Sequence, residues 1–181
     1  MRIYILTIIF ATSLFALENT LRVTKKSHDD GQYLFLLKKI YNNTYMKFKY
    51  KNTPYTCRPY AVVTLDEMEK SLVFNEVCQD AFKKYYINNP YAKSYAKLHL
   101  HLEQLYHLEP KKRRDCIMYS QGTRSYAESL LYEGLAVIKP SFRDELWKFR
   151  LNRAQLSAKD KREGVWGTTL LRECIAGIYA E

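Results

Sequence analysis

The chain has 181 residues, with 29 Lys and Arg against 19 Asp and Glu, for a formal net charge of +10. This excess selects polyanionic partners, nucleic acid first and anionic lipid or polysaccharide after it. The length fits one domain with a real core, and nothing beyond the amino terminus is apolar enough over sufficient length to be a transmembrane helix, which sets aside an integral membrane protein.

Residues 1–16 read as a signal peptide. Met1 and Arg2 give a short positive start, and Ile3, Ile5, Leu6, Ile8, Ile9, Phe10, Leu14 and Phe15 form an apolar stretch too short to span a bilayer. Small residues at Ser13 and at Ala16 offer cleavage sites, the second preferred; an uncleaved anchor or an interior strand is the alternative. Loss of Arg2 with the signal would take the net charge from +10 to +9. Such a leader implies a periplasmic or secreted protein. Residues 17–31 are polar and form a lead-in arm, residues 32–166 the folded domain, and 167–181 a C-terminal extension.

The first strand is expected over residues 33–41, with Asn42-Asn43 as a two-residue hairpin turn, because asparagine tolerates positive φ. The return strand, 45–50, alternates Met46, Phe48 and Tyr50 against Lys47 and Lys49. A turn at 51–54 leads to a third strand over 55–63. From residue 66 to 86 the period becomes helical through Met68, Leu72, Val73, Val77, Phe82 and Tyr85, and Asn88-Asn89-Pro90 stops it. Residues 97–102 alternate with period two and read as a strand. A basic turn at 109–114 precedes another strand over 116–119. Residues 125–133 form a short helix ended by Gly134, 142–163 a long charged helix closed by Gly164, and 168–179 one more short helix. The fold class is therefore α+β and β-rich, a five-stranded barrel of the oligonucleotide-binding type with three helices in the domain.

Cys57, Cys78, Cys116 and Cys174 suggest disulfides in an exported chain, and their spacing matches no zinc motif. Three pairings are open, with Cys57–Cys78 and Cys116–Cys174 preferred. His99 and His101 share the expected strand face with Glu103, which reads as an ion-paired face or, alternatively, as transition-metal ligands.

Three blocks resemble the staphylococcal nuclease (thermonuclease) family. They are YMKFKYKNTPYTCR at 45–58, the stretch 97–119 with Arg113 ahead of its last strand, and YAESLLYEGLA at 126–136, followed by Ala154-Gln155 and Gly164-Val165-Trp166. The resemblance implies a monomeric phosphodiesterase acting on DNA or RNA, with a calcium ion as cofactor where the site is active. It implies catalytic roles for Arg58 and Arg113 on the phosphate, since a guanidinium fork matches two phosphate oxygens. It puts Asp66 or Glu67 at the attacking water, and Arg114, Lys112 and Lys111 on the substrate. Arg114 is the alternative to Arg113. The family's two calcium aspartates fall on Thr44 and Val63, which lack carboxylates, so no metal ligands are assigned; Asp29 and Asp30 could replace them only if the arm folds over the pocket. The family's pocket tyrosines are also missing, since Val137-Ile138-Lys139-Pro140 follows the third block. Read without the resemblance, Asp66 and Glu67 are helix-opening acids favoured by the dipole, and Arg113 is one of a solvated basic run. Two functions stay open: a nuclease, or a catalytically degenerate nucleic-acid or polyanion-binding module of the cell envelope.

Overall fold

The computed structural model of the chain describes residues 33–72 and 75–179. The expected signal peptide, the lead-in arm with Asp29 and Asp30, and Val73 lie outside the described residues.

Among the described residues eight strands and six α-helices follow in chain order. They are β1 (Tyr33–Ile40), β2 (Met46–Tyr50), β3 (Thr53–Pro59), β4 (Val62–Thr64), α1 (Leu65–Ser71), α2 (Glu76–Asn88), α3 (Pro90–His99), β5 (Leu105–Pro110), β6 (Asp115–Gln121), β7 (Arg124–Ser125), α4 (Tyr126–Tyr132), β8 (Ala136–Ile138), α5 (Glu145–Lys161) and α6 (Thr169–Tyr179). Antiparallel pairing runs β3–β2–β1–β5–β6, and a parallel pairing of β3 with β6 closes the ring. The result is a closed, mixed, five-stranded barrel of the oligonucleotide-binding type, with β7 a short addition to β6. Strand period two fills its interior: Phe35, Leu37, Met46, Phe48, Cys57, Leu108 and Met118 are buried. Each such side chain contributes roughly 1.5–3 kcal/mol on full burial.

The helices cover what the barrel leaves open. A capping box at Thr64 and Glu67 starts α1, and another at Ser125 and Glu128 starts α4. β4 pairs with β8 in a second, two-stranded sheet, with Val63 opposite Val137. Gly134, at φ +62°, follows α4 and lies against Gly164 beyond the end of α5. A Cβ on either glycine would strike the backbone of the other segment, so both positions need the bare Cα. Helix α6 contributes Leu171 and Ile175 to the core.

Several sequence expectations are corrected. The described part of the domain holds five α-helices rather than three, while α6 matches the short helix expected over 168–179; the helix expected over 66–86 is two, α1 and α2, with Asn75 capping the second. Residues 97–99 end α3, and the fourth barrel strand is β5. The helical run does stop at Asn88, with Asn89 as its cap, but Pro90 at once opens α3, where the buried Ala92, Tyr95 and Ala96 give the true helical period. The shared strand face of His99, His101 and Glu103 therefore does not exist; the His99 ring lies 4.1 Å from that of Tyr95, one helical turn back. The expected third strand is divided into β3 and β4. The cysteines pair Cys57–Cys116 and Cys78–Cys174. Barrel closure explains the first, because β3 and β6 are neighbours; the second ties α2 to α6. In the loop-entropy account, closing loops of 59 and 96 residues stabilises the fold by about 4–5 kcal/mol each. Among the described residues no helix is long and apolar enough to cross a membrane.

Candidate functional site

The site forms where β3 meets β6. Their parallel register sets Arg58, near the end of β3, beside Asp115, the first residue of β6. Arg58 Nε donates to Asp115 Oδ1 at 2.5 Å, and its Nη1 lies 3.8 Å from Glu67 Oε1. Lys139, just past β8, donates from Nζ to the other oxygen of Asp115 at 3.2 Å. Burial opposes the charge on Arg58, but the hydrogen bond and charge of Asp115, the charge of Glu67 and a bond to Tyr45 outweigh it and hold the guanidinium above its ordinary value. Two cations thus meet two carboxylates, and the cluster is self-neutralised.

Asp66 and Glu67, adjacent in the chain, part company. Glu67 faces Arg58 and also accepts the Thr64 N–H as half of the capping box. Asp66 turns inward and is buried. Its Oδ2 accepts the Asn43 N–H at 2.9 Å, while the Asn43 side chain bonds the α3 backbone at Ala92 and Ala96. Burial pushes the Asp66 carboxyl above its usual range, with the Asn43 bond and the charges of Lys70 and Lys93 opposing and Glu69 assisting.

The basic run is arranged differently. Lys111 lies 3.5 Å from Glu109 and 5.6 Å from the centre of the Tyr60 ring. Lys112–Arg114 make a 3₁₀ turn in which Arg113 and Arg114 both have left-handed backbones, at φ 57° and 68°. For residues with a Cβ that conformation costs roughly 1–2 kcal/mol each. Lys112, Arg113 and Arg114 are exposed, and among the described residues none of their side chains is in an ion pair. The turn sits immediately before Asp115, so it overhangs the Arg58 edge.

Where the resemblance puts two calcium aspartates, the chain has a hydroxyl pair and a packed valine. Thr44 Oγ1 and Thr64 Oγ1 are 2.5 Å apart, and both residues are at most 1% exposed. One hydroxyl donates to the other, Thr64 Oγ1 also accepts the Glu67 N–H, and Val63 is occupied by its pairing with Val137. Among the described residues no group of three or more His, Cys, Asp and Glu could hold a metal. A hard cation takes several oxygen ligands, mostly anionic, and these residues do not fit calcium.

The structure therefore brings Arg58 and Glu67 together, sets Arg113, Arg114 and Lys112 beside them as an open rim, and holds Asp66 in a separate buried network. Sequence reasoning missed Asp115 and Lys139. The signal for Asp115 was its place at the head of a strand, directly after the basic run. Lys139 followed the missing tyrosines and carried no signal of its own. Tyr60 also belongs here: its hydroxyl donates to Asp144 at 3.3 Å, and burial and Asp144 raise its pKa. No protein-family model matches the chain, and no curated protein matches it by sequence.

Proposed function

We propose that this chain is an exported nucleic-acid-binding protein, built on a barrel of the staphylococcal nuclease type, that holds the phosphate backbone without cleaving it. The observation that carries this reading is the self-neutralised edge, in which Asp115 takes up Arg58 and Lys139 while Thr44 and Thr64 bond to each other. A phosphate arriving at Arg58 would have to displace a carboxylate already hydrogen-bonded there. Lys112, Arg113 and Arg114 are free of that restraint and supply the cationic rim, in keeping with phosphate contacts that position a chain without reading its sequence. The net charge favours the same partner. The two disulfides fit an oxidising compartment, which supports residues 1–16 as an export signal.

Hydrolysis is the second reading, favoured by the approach of Glu67 to Arg58. One experiment separates the two. Labelled DNA and RNA oligonucleotides are titrated with the purified protein across a salt series. The same samples are checked for degradation with calcium, with other divalent ions and with chelator, beside an Arg58→Ala control. Salt-sensitive binding without degradation is expected, with Arg113→Ala weakening it more than Arg58→Ala. Degradation that depends on a divalent ion and vanishes in the Arg58→Ala control would overturn the binding-only reading in favour of hydrolysis.

A further inference from the structure

Between residues 33 and 64 the chain carries six cations, Lys38, Lys39, Lys47, Lys49, Lys51 and Arg58, and no carboxylate. The barrel concentrates them. On β2, Met46 and Phe48 fill the interior, so Lys47 and Lys49 share the outer face. Lys47 stands directly opposite Lys39 of β1 on one side and Thr56 of β3 on the other. A register shift between Leu37 and Lys39 leaves both Lys38 and Lys39 exposed. Glu103 takes Lys38 at 2.7 Å, whereas Lys39, Lys47 and Lys49 have no carboxylate partner among the described residues.

Like charges directly opposite across a strand pair destabilise a sheet. Exposed strand positions accept many residue types, so the opposed lysines are not required by the fold. They line a groove of about 460 Å³ together with Lys38, Asn52 and Pro54. At the hairpin turn the half-exposed Tyr41 ring has Lys39 Nζ 4.8 Å from its centre. Two residues beyond Thr56 on the same face of β3 is Arg58, beside the 112–114 turn. The outer face of β3 thus runs from Pro54, at the groove, through Thr56 to Arg58, at the end where the 112–114 turn lies.

We infer that the outer face of the β1–β2 hairpin is a second contact surface for the phosphodiester backbone of single-stranded nucleic acid, with Lys39, Lys47 and Lys49 on phosphates and Tyr41 offered to a base. A shallow basic groove with an aromatic face beside it suits a strand whose bases are unpaired. The inference rests on the nucleic-acid-binding reading and extends it along the barrel.

Its test uses fluorescence anisotropy with a thymidine oligonucleotide, a duplex of equal length and heparin, each over a salt series. The proteins are wild type, a Lys39→Gln/Lys47→Gln/Lys49→Gln triple variant, and a control with Lys83→Gln, Lys84→Gln and Lys97→Gln, exposed on α2 and α3. Both triples change net charge equally. The hairpin triple is expected to flatten the salt slope for the single strand by about 2, at roughly 0.7 per phosphate contact, and to weaken binding on the order of 100-fold at about 0.1 M salt. The control should barely move. Lys47→Gln alone should raise the melting temperature while weakening binding, which a merely structural lysine would not do. A hairpin triple that matches the control, or that loses duplex or heparin as much as single strand, overturns the inference. If Arg113→Ala still weakens binding in that case, the broader reading survives; if wild type binds no nucleic acid, both fall.

Discussion

Arg58 and Arg113 lie on segments that meet at one edge of the barrel, and their surroundings are opposite. Arg58 is half-buried, bonded to Asp115 and close to Glu67, and its charge is consumed inside the fold. Arg113 is exposed, holds a costly backbone conformation and has no ion-pair partner among the described residues. A cation used for stability is neutralised at the expense of ligand affinity, while a cation kept free repels its neighbours until an anion arrives. The closed edge serves the structure, and the open rim is what the proposed binding would use.

The harshest way to break this comparison is to reopen the closed edge. Thr44→Asp would put a carboxylate beside the Thr64 hydroxyl where nothing is solvated, and should destabilise the protein by about 3 kcal/mol or more, as buried unpaired charge does. Thr44→Val, which takes away one partner of the Thr64 hydroxyl and leaves its bond from the Glu67 N–H, should cost about 1 kcal/mol. Thermal melts with and without calcium check both. Calcium restoring the Thr44→Asp melting temperature would mean that the site still accommodates a cation, and the closed edge would be a misreading.

Asp115→Ala attacks the neutralisation itself. It leaves Arg58 and Lys139 without their shared carboxylate. Because the cluster is partly exposed, a loss of about 2 kcal/mol is expected, below the figure for fully buried pairs. For a domain of this size that lowers the melting temperature by roughly 4–8 °C. The two freed cations should then accept an oxyanion, so inorganic phosphate should stabilise the variant more than wild type. An equal response in both proteins would show that Asp115 is not what withholds Arg58.

How far these regions could be read from sequence depends on the range of the interactions that build them. Strands β1 and β2 were legible because Met46 and Phe48 alternate with Lys47 and Lys49, a local pattern. Residues 97–102 misled for a related reason. Leu98, Leu100 and Leu102 alternate, yet Leu98 and Leu102 are exposed and the packing face is Ala92, Tyr95 and Ala96 at helical spacing. The neutralising role of Asp115 and the Cys57–Cys116 bond both follow from the parallel closure of β3 on β6, which no local pattern announces. Arg58 could be placed by resemblance, but its pairing depends on that closure, and Lys139, which joins Asp115, is 24 residues further along the chain.

On the open rim, Arg113→Gly separates backbone strain from charge. Glycine relieves roughly 1 kcal/mol of left-handed strain but loses about as much through the entropy of the unfolded chain. Stability should change by less than about 0.5 kcal/mol while the salt slope of binding falls by roughly 0.7–0.9. A large loss of stability would make Arg113 a structural residue like Arg58 and erase the contrast.

The mildest test concerns Asp66, the carboxylate that turned away from the arginine. Its folded pKa is raised, chiefly by burial, above the ordinary value of 3.8. Below 3.8 the carboxyl is protonated in both states and the stability it allows is fully present. As pH rises, the unfolded chain ionises first, so stability is lost until the folded group ionises too, and the loss is then constant. Asp66→Asn keeps an acceptor for the Asn43 N–H and removes this window. Its stability relative to wild type should therefore climb from acid pH through the raised value and then level, as measured by denaturant unfolding at a series of pH values. If Asp66 instead shared the Arg58 cluster, its carboxylate would be favoured and the variant would lose ground as pH rose. The sign of that one slope thus reports which side of α1 the carboxylate serves.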